Sequence, residues 1–295
     1  MVTFAYGSRT RPFDSRPANV RELIRSGSID AVKQNGTHPS YIVNVEGGEC
    51  FVKDYSLAHK PLLMIAERFA HALAPRSLPL YSLEPLAEHR ADPAARSLAE
   101  SIALRQWASY GIDAPRVVGH DSTGIMLERL PGCDLAQRLE QGTLTESHQN
   151  AFIDHLHSAR EAALTIRNPS YFHSDPTLMN AIGSDDGRVW LIDPEVLIKD
   201  LPVEDLDDAF TLSYLAGLET LADHTRTTHV TDSFAEGFLR YLGPESRARV
   251  REKAVAVPKR LITTLGSFPS HEVKSYARWL SSFDADHVER ICARL

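Results

Sequence analysis

The chain has 295 residues, 43% of them hydrophobic, which is enough to bury a sizeable core as one large domain or two closely packed lobes. Its 32 Lys and Arg against 39 Asp and Glu give a net charge of -7. With no long basic run, this excludes a broad electrostatic footprint for nucleic acid. Cys50, Cys133 and Cys292 lie far apart and form no CxxC pair, which argues against a disulfide framework or a thiolate zinc site and fits a reducing cytoplasm.

The N-terminus lacks the apolar core of a signal peptide, and no apolar run approaches the roughly 20 residues needed to cross a bilayer. The chain is therefore expected to be cytoplasmic, either free or peripheral at the inner face of the membrane.

The first 40 residues are rich in turn formers and basic groups, with one short strand expected around Ser28–Lys33 before the breaker run Gln34–Pro39. Tyr41–Val45 and Cys50–Tyr55 flank the turn Glu46-Gly47-Gly48-Glu49 and read as a β-hairpin, which places Lys53 inside a strand. Leu62, Leu63, Ile65, Phe69 and Leu73 suggest an amphipathic helix before Pro75, and Pro79 and Pro85 then interrupt. Residues 57 to 91 are read as an insertion that packs on the N-terminal half in preference to a membrane surface.

A helix follows, with Asp92 as N-cap, Pro93 at its first position, Glu100 in its middle and Gly111 as its stop. Short strands at Arg116–Val118 and Gly124–Leu127 lead into a linker, Glu128–Gly132. Beyond Pro131 the pattern turns helical. Thr143 and Glu146 offer a capping box, and Phe152, Leu156, Ala159 and Ala163 recur at helical spacing. The strand Val189–Ile192 ends at Asp193, and an Asp-Gly turn before it makes a small hairpin with Asn180 and Asp193 at one end. Further helices are expected from near Asp205 and Thr231 to the C-terminus.

The strongest chemical signal is His173-Ser-Asp175, then Asn180, then Asp193 thirteen residues later. Phosphoryl transfer in kinases calls for one carboxylate near the acceptor hydroxyl, and a second carboxylate with an amide oxygen for Mg²⁺. Mg²⁺ is a hard ion that takes oxygen ligands and shares them with substrate phosphates, so two side chains on one small hairpin suffice. His155 and His157, two positions apart, leave a helix on different faces, which disfavours a metal site, and His173 is read as a brace for the loop.

On these residues the chain resembles the protein-kinase-like superfamily over roughly residues 40 to 220. It is more similar to the small-molecule and carbohydrate branches, such as aminoglycoside phosphotransferases and bacterial lipopolysaccharide core kinases, than to eukaryotic-type protein kinases. The resemblance implies an α+β, two-lobed fold: residues 1–129 as an N-lobe with an antiparallel sheet and one helix, 130–295 as a helical C-lobe, and ATP between them. By this resemblance Lys53 in Phe-Val-Lys holds the α- and β-phosphates and Glu100 is its helix partner. Glu128 and Leu130 present backbone groups to adenine, Asp134 reaches the ribose, Asn180 and Asp193 hold Mg²⁺, and Asp175 serves the acceptor. An Asp in the cluster Glu204-Asp205-Asp207-Asp208, otherwise a helix N-terminus favoured by the dipole, bonds the catalytic loop in that superfamily.

The chain departs from the protein-kinase pattern in four places. One glycine stands in the nucleotide loop Gln34–Ser40, Pro194-Glu195 follows Asp193, Lys53 and Glu100 are 47 residues apart, and Pro176 follows Asp175. Only about a dozen residues separate Asp193 from the next helix signals, too few for a long activation segment and peptide platform. Phosphorylation of a small-molecule or sugar hydroxyl, including that of a lipopolysaccharide core sugar, is therefore expected ahead of a protein Ser/Thr kinase or a pseudokinase that works by interaction.

Overall fold

The computed structural model describes residues 2–3, 12–13, 28–33, 40–45, 48–56, 93–173, 176–194, 203–225, 228–254 and 285–295. The nucleotide-loop segment 34–39, the expected insertion at 57–91, Asp92, and Asp175 lie outside them.

The described residues form an α+β arrangement, as expected. Strands β1 (Val2–Thr3) and β2 (Pro12–Phe13) pair antiparallel. Strands β3 (Ser28–Lys33), β4 (Ser40–Val45), β5 (Gly48–Asp54), β6 (Val117–His120) and β7 (Gly124–Glu128) make a five-stranded antiparallel sheet in the order β3-β4-β5-β7-β6. The hairpin read from sequence is β4 and β5, in a register that sets Ser40 opposite Lys53 and Val45 opposite Gly48.

Alternation along β5 decides which way Lys53 points. Cys50 and Val52 join Val43 and Met126 in a small apolar cluster on one face, so Phe51, Lys53 and Tyr55 leave the other. That second face is covered by helix α1 (Pro93–Ser109). The buried residues Ser97, Glu100, Ser101, Ala103, Leu104 and Trp107 recur three or four apart, so they form one stripe of the helix. Gly111, at φ 82°, ends the helix in the left-handed conformation glycine favours, and Ile112 N–H returns to the Trp107 carbonyl at 3.0 Å.

The remainder is mainly helical. Helix α2 (Leu135–Glu140) is capped by Asp134, and α3 (Glu146–Ile166) by Thr145. The capping box is Thr145 with His148 and not the expected Thr143 with Glu146, because Glu146 is the first helical residue, which makes Thr145 the N-cap and His148 the third residue of the helix. Strands β8 (Cys133–Asp134), β9 (Ala181–Gly183) and β10 (Val189–Leu191) form a small antiparallel sheet in the order β10-β9-β8.

Then come α4 (Val203–Thr225), α5 (Thr228–Leu239), α6 (244–254) and α7 (Ala285–Arg294). Phe152, Phe210, Tyr214, Phe234 and Phe238 interlock as edge-on and tilted ring pairs at the centre of these helices. Each buried ring of this size contributes about 1.5–3 kcal/mol of apolar transfer.

Buried carboxylates on α4 fasten its neighbours. Asp207 takes a forked Arg160 from α3 at 2.5 and 2.8 Å, Asp208 takes Arg249 and Lys253 from α6, and Glu219 takes Arg290 and Arg294 from α7. Asp207 and Asp208, read from sequence as a helix-start cluster, thus lie buried in ion pairs between helices. Among the described residues no helix is long and apolar enough to cross a membrane.

Candidate active site

Lys53, Glu100, Asn180 and Asp193 sit where the five-stranded sheet, α1 and the β9–β10 pair meet, and Asp175 lies outside the described residues. The apolar core runs through this junction without a break, from Tyr55, Leu104 and Trp107 to Phe172, Leu178 and Leu191. Buried polar contacts fix its parts. The Ser97 hydroxyl donates to the Gly124 carbonyl at 2.6 Å, and the Trp107 indole N–H to the Tyr171 carbonyl at 2.9 Å. Leu191 N–H meets the Asp113 carbonyl at 2.9 Å.

Lys53 and Glu100 are in contact. The ammonium of Lys53 donates to Glu100 Oε1 at 2.7 Å and to Asp193 Oδ1 at 2.9 Å. Burial works against the charge of Lys53, but Asp193 and Glu100 outweigh it and hold its pKa above the ordinary lysine range. Burial likewise pushes the Asp193 carboxyl up, while the Lys53 ammonium, with Arg96 and His173 behind it, holds it well below the usual carboxylate range. Both groups are therefore charged at neutral pH.

Asp193 lies two residues past β10 with φ 58°, a left-handed conformation that aspartate tolerates better than most side chains. Asn180 closes a 3₁₀ turn, Leu178–Asn180, and its carbonyl accepts from Ile192 N–H at 3.0 Å. The two strand ends therefore carry Asn180 and Asp193 out of one hairpin on neighbouring chains.

His173 is fully buried, and its Nε2 lies 2.9 Å from the Ile192 carbonyl. A carbonyl only accepts, so the ring carries its proton on Nε2. Its face lies 5.2 Å from the Trp107 ring. This histidine braces the segment leading to Asp193.

Around the linker, Glu128 stands opposite Cys50 at the end of β7. Its carboxylate accepts from Arg116 N–H at 2.9 Å. Leu130 follows two residues on, half-buried. Asp134 Oδ1 accepts from Gln137 N–H at 2.8 Å, so this side chain caps α2. The linker closes onto β9 through two glycines: Gly132 has φ 99°, and a Cβ there would lie 2.0 Å from the Gly183 carbonyl oxygen.

His155 Nε2 meets the Val189 carbonyl at 3.0 Å, and His157 stacks on Tyr241 at 3.8 Å, so the two leave α3 in different directions.

Two residues that sequence reasoning passed over complete the cluster. The Tyr55 hydroxyl donates to Glu100 Oε2, and the Arg96 guanidinium lies 4.8 Å above the Tyr55 ring. The available signal was spacing: Tyr55, just past the end of β5, is two residues from Lys53, and Arg96 is four residues from Glu100 on a helix, so each shares a face with its partner.

No family model matches the sequence, and no curated protein matches it. Among solved structures, ethanolamine kinase Pv091845 of Plasmodium vivax is similar at 12% identity, over 92% of this chain and 82% of that one, with a TM-score of 0.38. A likeness that loose establishes neither fold, family nor activity.

Proposed function

We propose that the chain is an ATP- and Mg²⁺-dependent phosphotransferase with a two-lobed protein-kinase-like fold, acting on a hydroxyl of a small molecule or sugar, a lipopolysaccharide core sugar among the candidates. In this reading residues 1–129 form the N-lobe and 130–295 the helical lobe. The observation that carries it is the ammonium of Lys53 held at once by Glu100 and Asp193, residues 47 and 140 positions away.

Phosphoryl transfer asks a protein mainly for positioning and charge stabilisation. An ammonium has three donors. Glu100 and Asp193 take two in this structure, which leaves a third to aim at the α- and β-phosphates. Asp193 and Asn180 supply a carboxylate and an amide oxygen, the hard donors that suit Mg²⁺. Bound there, the ion would offset charge on the transferring phosphoryl group. Backbone groups of Glu128 and Leu130 would meet the adenine edge and Asp134 the ribose. Asp175, five residues before Asn180, would accept or orient the proton of the acceptor hydroxyl.

Only residues 194–202 separate Asp193 from α4, which leaves no room for a long peptide-binding platform and favours a small acceptor over a protein. The test is a melting scan with millimolar Mg²⁺-ATP, followed by a transfer screen over sugars, aminoglycosides, lipopolysaccharide fragments and a generic protein substrate. Ligand at a hundredfold over its dissociation constant adds about 2.7 kcal/mol to stability. A clear rise in Tm with transfer to a small hydroxyl compound is expected. No shift with ATP, ADP or GTP would sink the reading, and transfer to the protein alone would reassign the acceptor.

A further inference from the structure

Lys53 and Glu100 have a third partner that the mechanism above does not use. Tyr55 follows Lys53 by two residues, so both side chains leave the same face toward α1. Glu100 is thereby held at both oxygens, with Lys53 on Oε1 and the Tyr55 hydroxyl on Oε2. The Tyr55 side chain is 3% exposed and Glu100 likewise, and Arg96 covers the outer side of the ring.

We infer that Tyr55 is a positioning residue of the nucleotide site: its hydroxyl fixes the Glu100 carboxylate so that Lys53 meets one oxygen only and stays turned toward Asp193 and the phosphates. The inference rests on the function proposed above. The last torsion of a glutamate is broad, so a carboxylate gripped at one oxygen swings. Gripped at both, it does not. Without the hydroxyl the grip on Oε2 that Tyr55 supplies is lost, and the carboxylate holds the Lys53 ammonium less firmly in place.

The experiment is a double-mutant cycle on Mg²⁺-ATP dissociation constants by calorimetry, using the full chain, Tyr55→Phe, Glu100→Gln and the double variant, with Tm measured for each. Phenylalanine keeps the ring in the core and beneath Arg96, so the fold is retained. One lost hydrogen bond at this site should weaken Mg²⁺-ATP binding about threefold to tenfold. Because Tyr55 acts through Glu100, the same change should matter less than about twofold in the Glu100→Gln background.

A purely structural tyrosine would lower Tm equally in both backgrounds and leave the dissociation constant alone. Equal affinity of wild type and Tyr55→Phe, or an equal loss in both backgrounds, would overturn the role of Tyr55 while leaving the proposed function standing. Failure of the wild-type chain to bind Mg²⁺-ATP would overturn both.

Discussion

Lys53 stands between two carboxylates, 2.7 Å from Glu100 and 2.9 Å from Asp193, so one ammonium joins β5, α1 and the segment after β10. Replacing it by methionine keeps the stem and deletes the charge. Glu100, only 3% exposed, then loses the ammonium it shares with Asp193. Removing one partner of a buried pair costs about 3–5 kcal/mol. Lys53→Met should therefore lower the urea-unfolding free energy by about that amount as well as abolish Mg²⁺-ATP binding. A variant as stable as wild type would show that the pair does not hold these segments together.

The same cluster sets a pH window. The pKa of Asp193 is lower in the folded state than in the unfolded one, so its stabilisation is complete above the unfolded value of about 3.9 and is lost as pH falls through the lower folded value. Lys53 is raised, so its contribution is complete below about 10.4 and is lost as pH climbs through the folded value. Unfolding free energy measured against pH should fall away on both sides of this window. Asp193→Asn should flatten the acid limb. An unchanged acid limb in that variant would mean that other carboxylates govern acid unfolding. The Asp193 side chain is 38% exposed, so solvent screening moderates the size of the effect.

Much of this arrangement was legible because it is local or periodic. The β4–β5 hairpin announced itself by β-branched residues around glycines, α1 by Pro93 and Gly111, and β9–β10 by the Asp-Gly turn, so Lys53, Glu100, Asn180 and Asp193 were placed on the right elements. Helix α2 was missed because six residues give too little period to detect. The capping box was read two residues early because Thr143 and Thr145 stand alike before the apolar run, and only the backbone shows which of them is the N-cap. Ion pairs such as Arg160 with Asp207, 47 residues apart, depend on how helices pack, which no single-segment pattern carries. Tyr55 looked like one more apolar strand residue, since its hydroxyl contact exists only once α1 folds over the sheet.

The linker's approach to β9 depends on Gly132. A methyl there would press into the Gly183 carbonyl, and φ 99° is unfavourable for any L side chain. Backbone must move, and β9 runs directly on from Asn180. Gly132→Ala should therefore lower stability by about 1–3 kcal/mol. It should also weaken Mg²⁺-dependent ATP binding, whereas alanine at Gly142, which has open space around it, should leave binding unchanged. Equal effects at the two sites would contradict the close packing of the linker on β9.

Arg160 and Asp207 fasten α3 to α4 with a forked pair in the interior. Burial, with the neighbouring Asp208 carboxylate, raises the pKa of Asp207 above the ordinary value, and Arg160 offsets only part of that. Arg160→Met would strand a carboxylate that is 2% exposed. A loss of about 3–5 kcal/mol is expected on urea unfolding. The double variant Arg160→Met with Asp207→Leu should recover most of it. No recovery would indicate that Arg160 acts through packing and not through its charge.

The proposed function turns on Asp193 as the carboxylate that receives Mg²⁺ beside Lys53. Calorimetry of ATP binding to the wild-type chain and to Asp193→Asn, each with Mg²⁺ and with EDTA, tests it most directly. The expected result is tight ATP binding by the wild type only when Mg²⁺ is present, and weak binding by Asp193→Asn that is the same with metal and with EDTA. Asp193→Asn binding ATP with undiminished Mg²⁺ dependence would contradict the assignment.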